Sequence, residues 1–416
     1  MTPGKGSDET QDISPRAAIG LFSFAHFSHH LSTALLNPML PWIRTGFGPD
    51  FTLSYTQSGA LVSAFALISG VMQAPIGGLA DRFGRRPLMA FGGLAGVALA
   101  SLLLASSPSG EIGYYQVLFG LVVMGFMASA YHPLAGSFIS QFVPSTQRGR
   151  AYGIHLTGGN LGFLVAPVVG GGIAYLWGWR AAYATLPLTG IAAAWLFWRM
   201  TARQPSEGGN GVARKRLLDL SVLSTARPVL PILSLSVFIH MVDASVSSFL
   251  PLFIVDKHHV EPAVAAVTVA IISAAGLFGA PFGGTLSDRI GRKPLILLSM
   301  TLEGPAIFLV TLMPFGWWLF GAIAFLGLAR SLRNPVMETV IADNIPQERR
   351  ATAFGLYYFF NAEAGGLAVP VVGYAIDRAG LDAAFLGLVV AAVLAATLAL
   401  ALRRQLKVIV VPRRQP

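Results

Sequence analysis

Charged and titratable side chains stand inside long apolar runs of this chain, and their types are those of proton and anion chemistry. His26, His29, His30 and Asn37 lie in the first run, His132 in the fourth, and His240 and Asp243 in the seventh. Arg330, Arg333, Asn334 and Glu338 lie in the tenth, and Asn361 and Glu363 in the eleventh. A charge at the centre of a bilayer costs about 2.5–3.5 kcal/mol on insertion scales, so it is expected to face a partner or water. Asp243 and the Arg330/Arg333 pair fall near the middle of their runs, and an intramembrane ion pair is the expected relation. A neighbouring guanidinium favours an ionised carboxylate, whereas desolvation favours the protonated form. A protein that alternates between those conditions can load a proton on one side and release it on the other.

His240 is one helical turn from Asp243, and imidazole titrates near neutral pH. Asp243, His240, His30, His29 and His26 are therefore the candidate proton-coupling groups. Arg330 and Arg333 carry forks suited to carboxylate or phosphate. With His132, Asn37, Asn160, Glu338, Asn361 and Glu363 they form the candidate substrate contacts. The plainer readings are a structural ion pair at Asp243 and histidines that are simply hydrogen-bonded. Glu338 is expected to pair with Arg333 or a loop arginine. Glu303, in the ninth run, and His155, in the fifth, receive no functional role.

The elements that must hold these groups follow from composition. Charged residues are 12% of the 416 and hydrophobic residues 54%, against about 25% charged in soluble domains. An apolar segment of about 20 residues crosses the bilayer core. Twelve such spans are expected, at 17–43, 55–79, 87–106, 114–142, 151–177, 181–200, 228–254, 263–286, 295–313, 317–343, 352–376 and 382–402. The fold class is thus an all-α integral membrane protein. Residues 1–16 form a polar tail without the apolar core of a signal peptide. Residues 17–200 and 228–402 form two six-helix halves. Residues 201–227, with Ser206-Glu207-Gly208-Gly209-Asn210-Gly211, form a polar linker, and 403–416 a second tail.

The net charge of +10 reads as topology, not as a nucleic-acid surface. If both termini are cytoplasmic, only Arg44, Arg180, Lys257 and Arg378 fall outside, and loop Lys and Arg set orientation. All seven Trp fall near span ends, where interfacial Trp concentrate. Cysteine is absent, so no disulfide or thiolate site exists. No metal-ligand spacing, nucleophile motif or phosphate loop is present, so neither an enzyme nor a metal site is expected.

The chain is duplicated. Gly77-Gly78-Leu79-Ala80-Asp81-Arg82-Phe83-Gly84-Arg85-Arg86-Pro87 pairs with Gly284-Thr285-Leu286-Ser287-Asp288-Arg289-Ile290-Gly291-Arg292-Lys293-Pro294. Pro133 pairs with Pro335, Pro167 and Gly170 with Pro370 and Gly373, and His30 before Pro41 with His240 before Pro251. Duplicated halves flanking a midplane site are a common build of secondary transporters.

The two Gly-x-x-x-Asp-Arg-x-Gly-Arg loops resemble the signature of the major facilitator superfamily, over essentially the whole chain. The resemblance implies a 6+6 pseudo-symmetric bundle in which spans 1, 4, 7 and 10 line a central cavity and spans 3, 6, 9 and 12 sit outside, which makes Glu303 peripheral. It implies a cytoplasmic gate of Asp81, Arg82, Arg85, Asp288, Arg289, Arg292, Arg148 and Arg349, with Asp81 docked at the start of span 11 and Asp288 at the start of span 5. A carboxylate so placed gains typically 0.3–1 kcal/mol from the exposed helix N-terminus. Span 5 carries Gly153, Gly162, Ala166, Pro167, Gly170 and Gly171, similar to the antiporter motif of drug exporters. That likeness implies close packing across the halves against Gly276, Gly279 and Gly283 of span 8. An Arg found twelve residues before the span 4 proline in many proton-coupled members is Leu121 here.

Tyr131-His132-Pro133 and Gly158-Gly159-Asn160-Leu161-Gly162 resemble the fosmidomycin-resistance branch of exporters, although His30-Leu31-Ser32-Thr33 departs from it. The expectation is a proton-coupled exporter of a small amphiphilic or anionic drug or metabolite, working by alternating access. It would be driven by the proton gradient without a cofactor, as a monomer in the cell's inner membrane. The alternatives are an importer or facilitator of an organic anion, a lipid flippase, and a membrane sensor that carries no flux.

Overall fold

The structure, a computed structural model, describes residues 13–73, 75–76, 80, 85–144, 147–201, 226–227 and 229–404. Within them the chain is helical, and the twelve spans become α1 to α12 in chain order. In the first half, α1 runs Pro15–Thr33 and resumes as Leu36–Thr45, α2 is Tyr55–Gln73 and α3 is Arg85–Ala105. Next, α4 runs Gly110–Ala128 and resumes as Tyr131–Phe142, α5 is Arg148–Trp177, and α6 runs Trp179–Thr185 and Leu188–Thr201. The second half holds α7 (Leu230–His258), α8 (Pro262–Ile290), α9 (Arg292–Leu312), α10 (Trp317–Asn344), α11 (Gln347–Ala379) and α12 (Leu381–Ala401).

Ten of these are long and apolar enough to cross a membrane. The two that fall short are α1, which is broken, and α10, which carries Arg330, Arg333 and Glu338. They are also two of the helices expected to line the cavity. Non-helical breaks at mid-membrane depth are tolerated where they are buried in protein or line a cavity. Ala34-Leu35 interrupts α1 just before Asn37-Pro38, and Ser129-Ala130 interrupts α4 just before Tyr131-His132-Pro133. Their second-half partners, α7 and α10, run without interruption.

The duplication shows in the turns. Gly178 alone joins α5 to α6, with φ 83°, and Gly380 alone joins α11 to α12, with φ 85°. A one-residue reversal at positive φ is open to glycine at no steric cost. Within each half, α1 packs on α5 and α7 on α11; between halves, α2 packs on α11 and α5 on α8. An even number of spans leaves both described chain ends at one rim, here called the terminal rim, and the other is the far rim.

The seam between α2 and α11 is tight over about four turns. A Cβ on Gly59 would lie 2.8 Å from Pro370 Cα, and one on Gly373 would lie 2.4 Å from the Tyr55 carbonyl oxygen. Ser63 donates to the Gly366 carbonyl.

Candidate functional site

At mid-height of the second half, α7, α9 and α10 bring together two guanidinium and two carboxylate groups. Arg330 Nε lies 2.5 Å from Asp243 Oδ1 and 3.2 Å from Glu303 Oε1. Arg333 donates through Nη1 to Glu303 Oε2 at 2.7 Å and through Nη2 to Asp243 Oδ2. Arg330 Nη1 also donates to Ser247 Oγ, one turn along α7, at 2.9 Å. Glu303 is 0% exposed and Arg333 2%. The formal charges cancel, which is the condition for keeping ions out of water. The expected meeting of Asp243 with Arg330 and Arg333 is present. Glu303, set aside on the sequence as peripheral, is the fourth member: α9 turns it inward onto α10. The sequence signal for it was the same as for Asp243, an acid in mid-span.

Among the described residues of the first half no such set of ions is present; that half has imidazoles. His26 and His30 on α1 and His132 on α4 present ring nitrogens within 4.8 Å of one another. His26 Nδ1–H donates to the His155 carbonyl at 2.8 Å, and His155 Nδ1–H to the Phe22 carbonyl at 3.0 Å. The two rings stack at 4.1 Å. His29 Nδ1–H donates to the Gly93 carbonyl at 3.1 Å, from a ring stacked on Tyr131 at 4.4 Å. Gly93 lies in a π-helical stretch of α3, Leu88–Gly96. Glycine on α5 makes room for this cluster: a Cβ on Gly159 would lie 2.5 Å from His26 Cε1, and one on Gly162 2.9 Å from His30 Cβ. His155, which the sequence left as structural, orients His26 through its backbone.

Between the two clusters lies a cavity of about 320 Å³. Its wall includes Thr33 and Asn37 of α1, Phe163 and Pro167 of α5, and Ser247 of α7. Phe163 packs on His30 at 4.2 Å, and Ser247 is the hydroxyl held by Arg330. The cavity thus touches the imidazoles through Phe163 and Thr33, and the ions through Ser247. Asn160 is exposed and sits one turn from Phe163 on the same face of α5.

The other predicted contacts go elsewhere. Glu338 accepts from Tyr358 of α11 at 2.7 Å instead of pairing with Arg333. Asn361 donates to its own helix at the Tyr357 carbonyl, 2.8 Å away. Glu363 stands in the seam against Gly70, where a Cβ would lie 2.4 Å from its Oε1. His240 packs beside Gly365 of α11.

At the terminal rim, Arg292 pairs with Asp288 and lies 3.5 Å from Asp343; Arg289 is exposed. Arg85 opens α3, and Arg148 and Arg349 stand in the first turns of α5 and α11. Asp81 and Arg82 lie outside the described residues. A carboxylate docked on a helix N-terminus appears at the far rim, on residues the sequence did not single out. Asp377, near the end of α11, accepts from the backbone N–H groups of Tyr55 and Thr56 at 2.8 Å each and from Thr56 Oγ1 at 2.6 Å. Arg44 pairs with Asp256 at 2.9 Å, and Tyr55 donates its hydroxyl to the same acid.

The glycines expected to seal the halves mostly serve within them. Gly162 and Gly170 face α1, where a Cβ would meet the Phe27 carbonyl oxygen at 2.7 Å and Leu35 at 2.6 Å. Gly279 and Gly283 face Ser331 and Leu332 of α10, and nothing lies within 4 Å at Gly153 or Gly276. Gly171 does meet α8, at Ala266. The physical reason is that the α1 backbone at Ser23 and Phe27 and the His26 ring lie directly on α5, where a side chain larger than glycine's has no room.

Residues 22–284 and 232–415 match the family model described as Major Facilitator Superfamily. The "Multidrug resistance protein MdtG" of Enterobacter lignolyticus is 26% identical over 369 residues, covering 85% of this chain and 84% of that protein. An "Uncharacterized MFS-type transporter YfnC" of Bacillus subtilis is 25% identical over 363 residues, covering 85% of each. Among solved structures, a bacterial homolog of the human lysosomal transporter Spinster, inward-facing and unoccupied, superposes with a TM-score of 0.78 at 19% identity. It covers 96% of this chain and 98% of that one.

Proposed function

Because the chain belongs to the major facilitator superfamily and is a multi-pass membrane transporter, we propose that it exports small amphiphilic or anionic compounds in exchange for protons. The observation that carries this reading is Asp243, clamped by Arg330 and Arg333 at mid-membrane and joined to the cavity through Ser247. An anionic group entering the cavity competes with Asp243 for the Arg330 fork. Once Arg330 turns to the substrate, the carboxylate is less compensated and takes a proton; when the substrate leaves, the guanidinium returns and the proton is released. Glu303 holds the far side of both arginines throughout, so they pivot between two acids and do not leave the network. His240, one turn from Asp243, is the exit group for the proton. Export is favoured by likeness to proteins named for multidrug resistance.

We read the terminal rim as the cytoplasmic one, with both termini inside, a reading supported by the count of loop Lys and Arg, and the membrane as the cell's inner membrane. Alternating access then requires the Arg44–Asp256 and Asp377–α2 contacts of the far rim to break while the terminal rim closes. The chain functions as a monomer powered by the proton gradient.

The test uses energised inverted vesicles carrying a pH-sensitive dye. Amphiphilic drugs and organic anions, fosmidomycin among them, are added singly. Proton release by at least one compound, lost in Asp243→Asn while that compound still binds, is expected. Coupled export that survives Asp243→Asn removes the acid from the mechanism. Accumulation of a labelled organic anion in right-side-out vesicles without dye response would establish the importer instead.

A further inference from the structure

We propose that His26, His30 and His132 form a binding site for a divalent first-row transition ion of the Zn²⁺ type in the first half, behind the Thr33 and Phe163 side of the cavity. Three imidazoles with one position left open make a known ligand set for zinc. Here the three ring nitrogens already lie within 4.8 Å of one another. Nitrogens sharing a tetrahedral zinc at ~2.0–2.1 Å stand roughly 3.3 Å apart. Closure therefore needs rotation of the rings, not movement of helices.

The surroundings fit metal ligands better than idle histidines. A ligating histidine almost always donates its second ring N–H to a carbonyl, carboxylate or water, which fixes the tautomer. His26 Nδ1–H does so to the His155 carbonyl. His30 Nδ1–H faces Thr33 Oγ1 at 3.4 Å, and that hydroxyl gives its own hydrogen to the His29 carbonyl. Both rings are thereby left with Nε2 as a lone-pair donor. His26 is 4% exposed and its Nε2 is buried with no hydrogen-bond partner. A buried acceptor without a partner is a destabilising feature in a native interior; a bound cation removes it.

His132 is exposed, and His30 half-buried, so an ion can reach the three rings from the His132 side. His29 and His155 are outside the triangle; the His155 carbonyl fixes His26, and His29 bonds to the Gly93 carbonyl instead. The set contains no carboxylate and no thiolate, so a bound ion keeps its full positive charge. That charge would attract an anionic oxygen from the cavity, on the wall opposite Arg330. Binding of the ion itself does not rest on the direction or coupling of transport. His26 and His30 share a face of α1, four residues apart, but His132 joins them only where α1 packs on α4, which residue spacing does not show.

The experiment is a titration of the purified full chain, in detergent and with a tag free of histidine, with Zn²⁺ by calorimetry and with Co²⁺ by visible absorption. One ion per chain is expected, with a rise in melting temperature on Zn²⁺ addition. His132→Ala, whose side chain is exposed, should lower affinity by ten-fold or more while the metal-free melting temperature and gel-filtration profile stay unchanged. His29→Asn and the double change His258→Ala with His259→Ala should bind as the parent does. No binding by the parent protein at millimolar Zn²⁺ would overturn the proposal. So would binding that survives His132→Ala, or binding lost with the His258 and His259 change.

Discussion

The two halves of this transporter share a helix plan and place different chemistry at the same height. In the second half, α7, α9 and α10 are continuous and present Asp243, Glu303, Arg330 and Arg333 as a closed set of full charges. In the first, α1 and α4 are broken, and α1, α4 and α5 present neutral-capable imidazoles wired to backbone carbonyls. The matching peripheral helices differ in the same sense. From α9 comes a carboxylate to the arginines, whereas α3 gives the Gly93 carbonyl to His29. Duplication therefore conserved where polar groups can stand, at the break or middle of a cavity-lining helix, and left their chemistry free to diverge. An ionic set has to be complete to be stable, whereas a histidine set bonded to backbone can lose a member.

That contrast can be broken most directly at Arg333. Replacing it with alanine leaves two buried carboxylates sharing Arg330. Removing one partner of a buried pair costs about 3–5 kcal/mol, so Arg333→Ala should sharply lower the melting temperature of the purified protein and abolish transport. A melting temperature within a degree of the parent would show that the network is hydrated and not closed.

A smaller effect distinguishes how the two halves are packed. Gly159→Ala sets a Cβ 2.5 Å from the His26 ring, and Gly283→Ala sets one 2.9 Å from Leu332 backbone atoms. Each should cost about 1–3 kcal/mol. In a double-mutant cycle read by thermal unfolding, His26→Ala should relieve most of the first. Truncating Leu332 should not relieve the second, since the obstruction is main chain. Equal relief in both would erase the distinction.

At the far rim, Asp377→Asn removes a charge from the N-terminus of α2, a change of about 0.3–1 kcal/mol and up to ~2 when partly buried. Distance measurements between spin labels on Arg44 and Lys257 neighbours should show a larger population open at that rim, with substrate-free protein shifting by several-fold. An unchanged distribution would make the Arg44–Asp256 pair the controlling contact. An effect of similar size is expected at His29. Because its role is one hydrogen bond to a carbonyl, His29→Ala should cost about 1 kcal/mol, and His29→Asn, which can restore the N–H, should recover most of it. A loss comparable to Arg333→Ala would mean that the imidazoles are as interdependent as the ions.

The fold was legible because its markers are local: twelve apolar runs, two Asp-Arg-x-Gly-Arg loops and prolines at matched places. The ion pair was legible for the same reason, since a charge in a span must find a partner. Glu303 carried that signal too and was discounted because of where its helix was expected to stand; helix rotation is not written in residue spacing. Asp256 and Asp377 were hidden for the opposite reason. Acids at span ends look like ordinary solvated residues, and only the packing of α11 against α2 shows one of them on a helix terminus. The glycines of α5 announced close approach correctly, but the likeness to the antiporter motif assigned that approach to α8 alone. Their partner is α1 for Gly158, Gly159 and Gly162 and α8 for Gly171.

The π-helical stretch of α3 bears on how such a protein changes over generations. Through Gly93 it offers an acceptor that no point substitution can delete, because a main-chain carbonyl survives any change of side chain. Glu303, its opposite number, disappears with a single codon change. Drift and selection should therefore sample the histidine wall freely and purge most variants of the ionic one. In a population challenged with a new toxic compound, adaptive alleles are to be sought first on α1, α4 and α5.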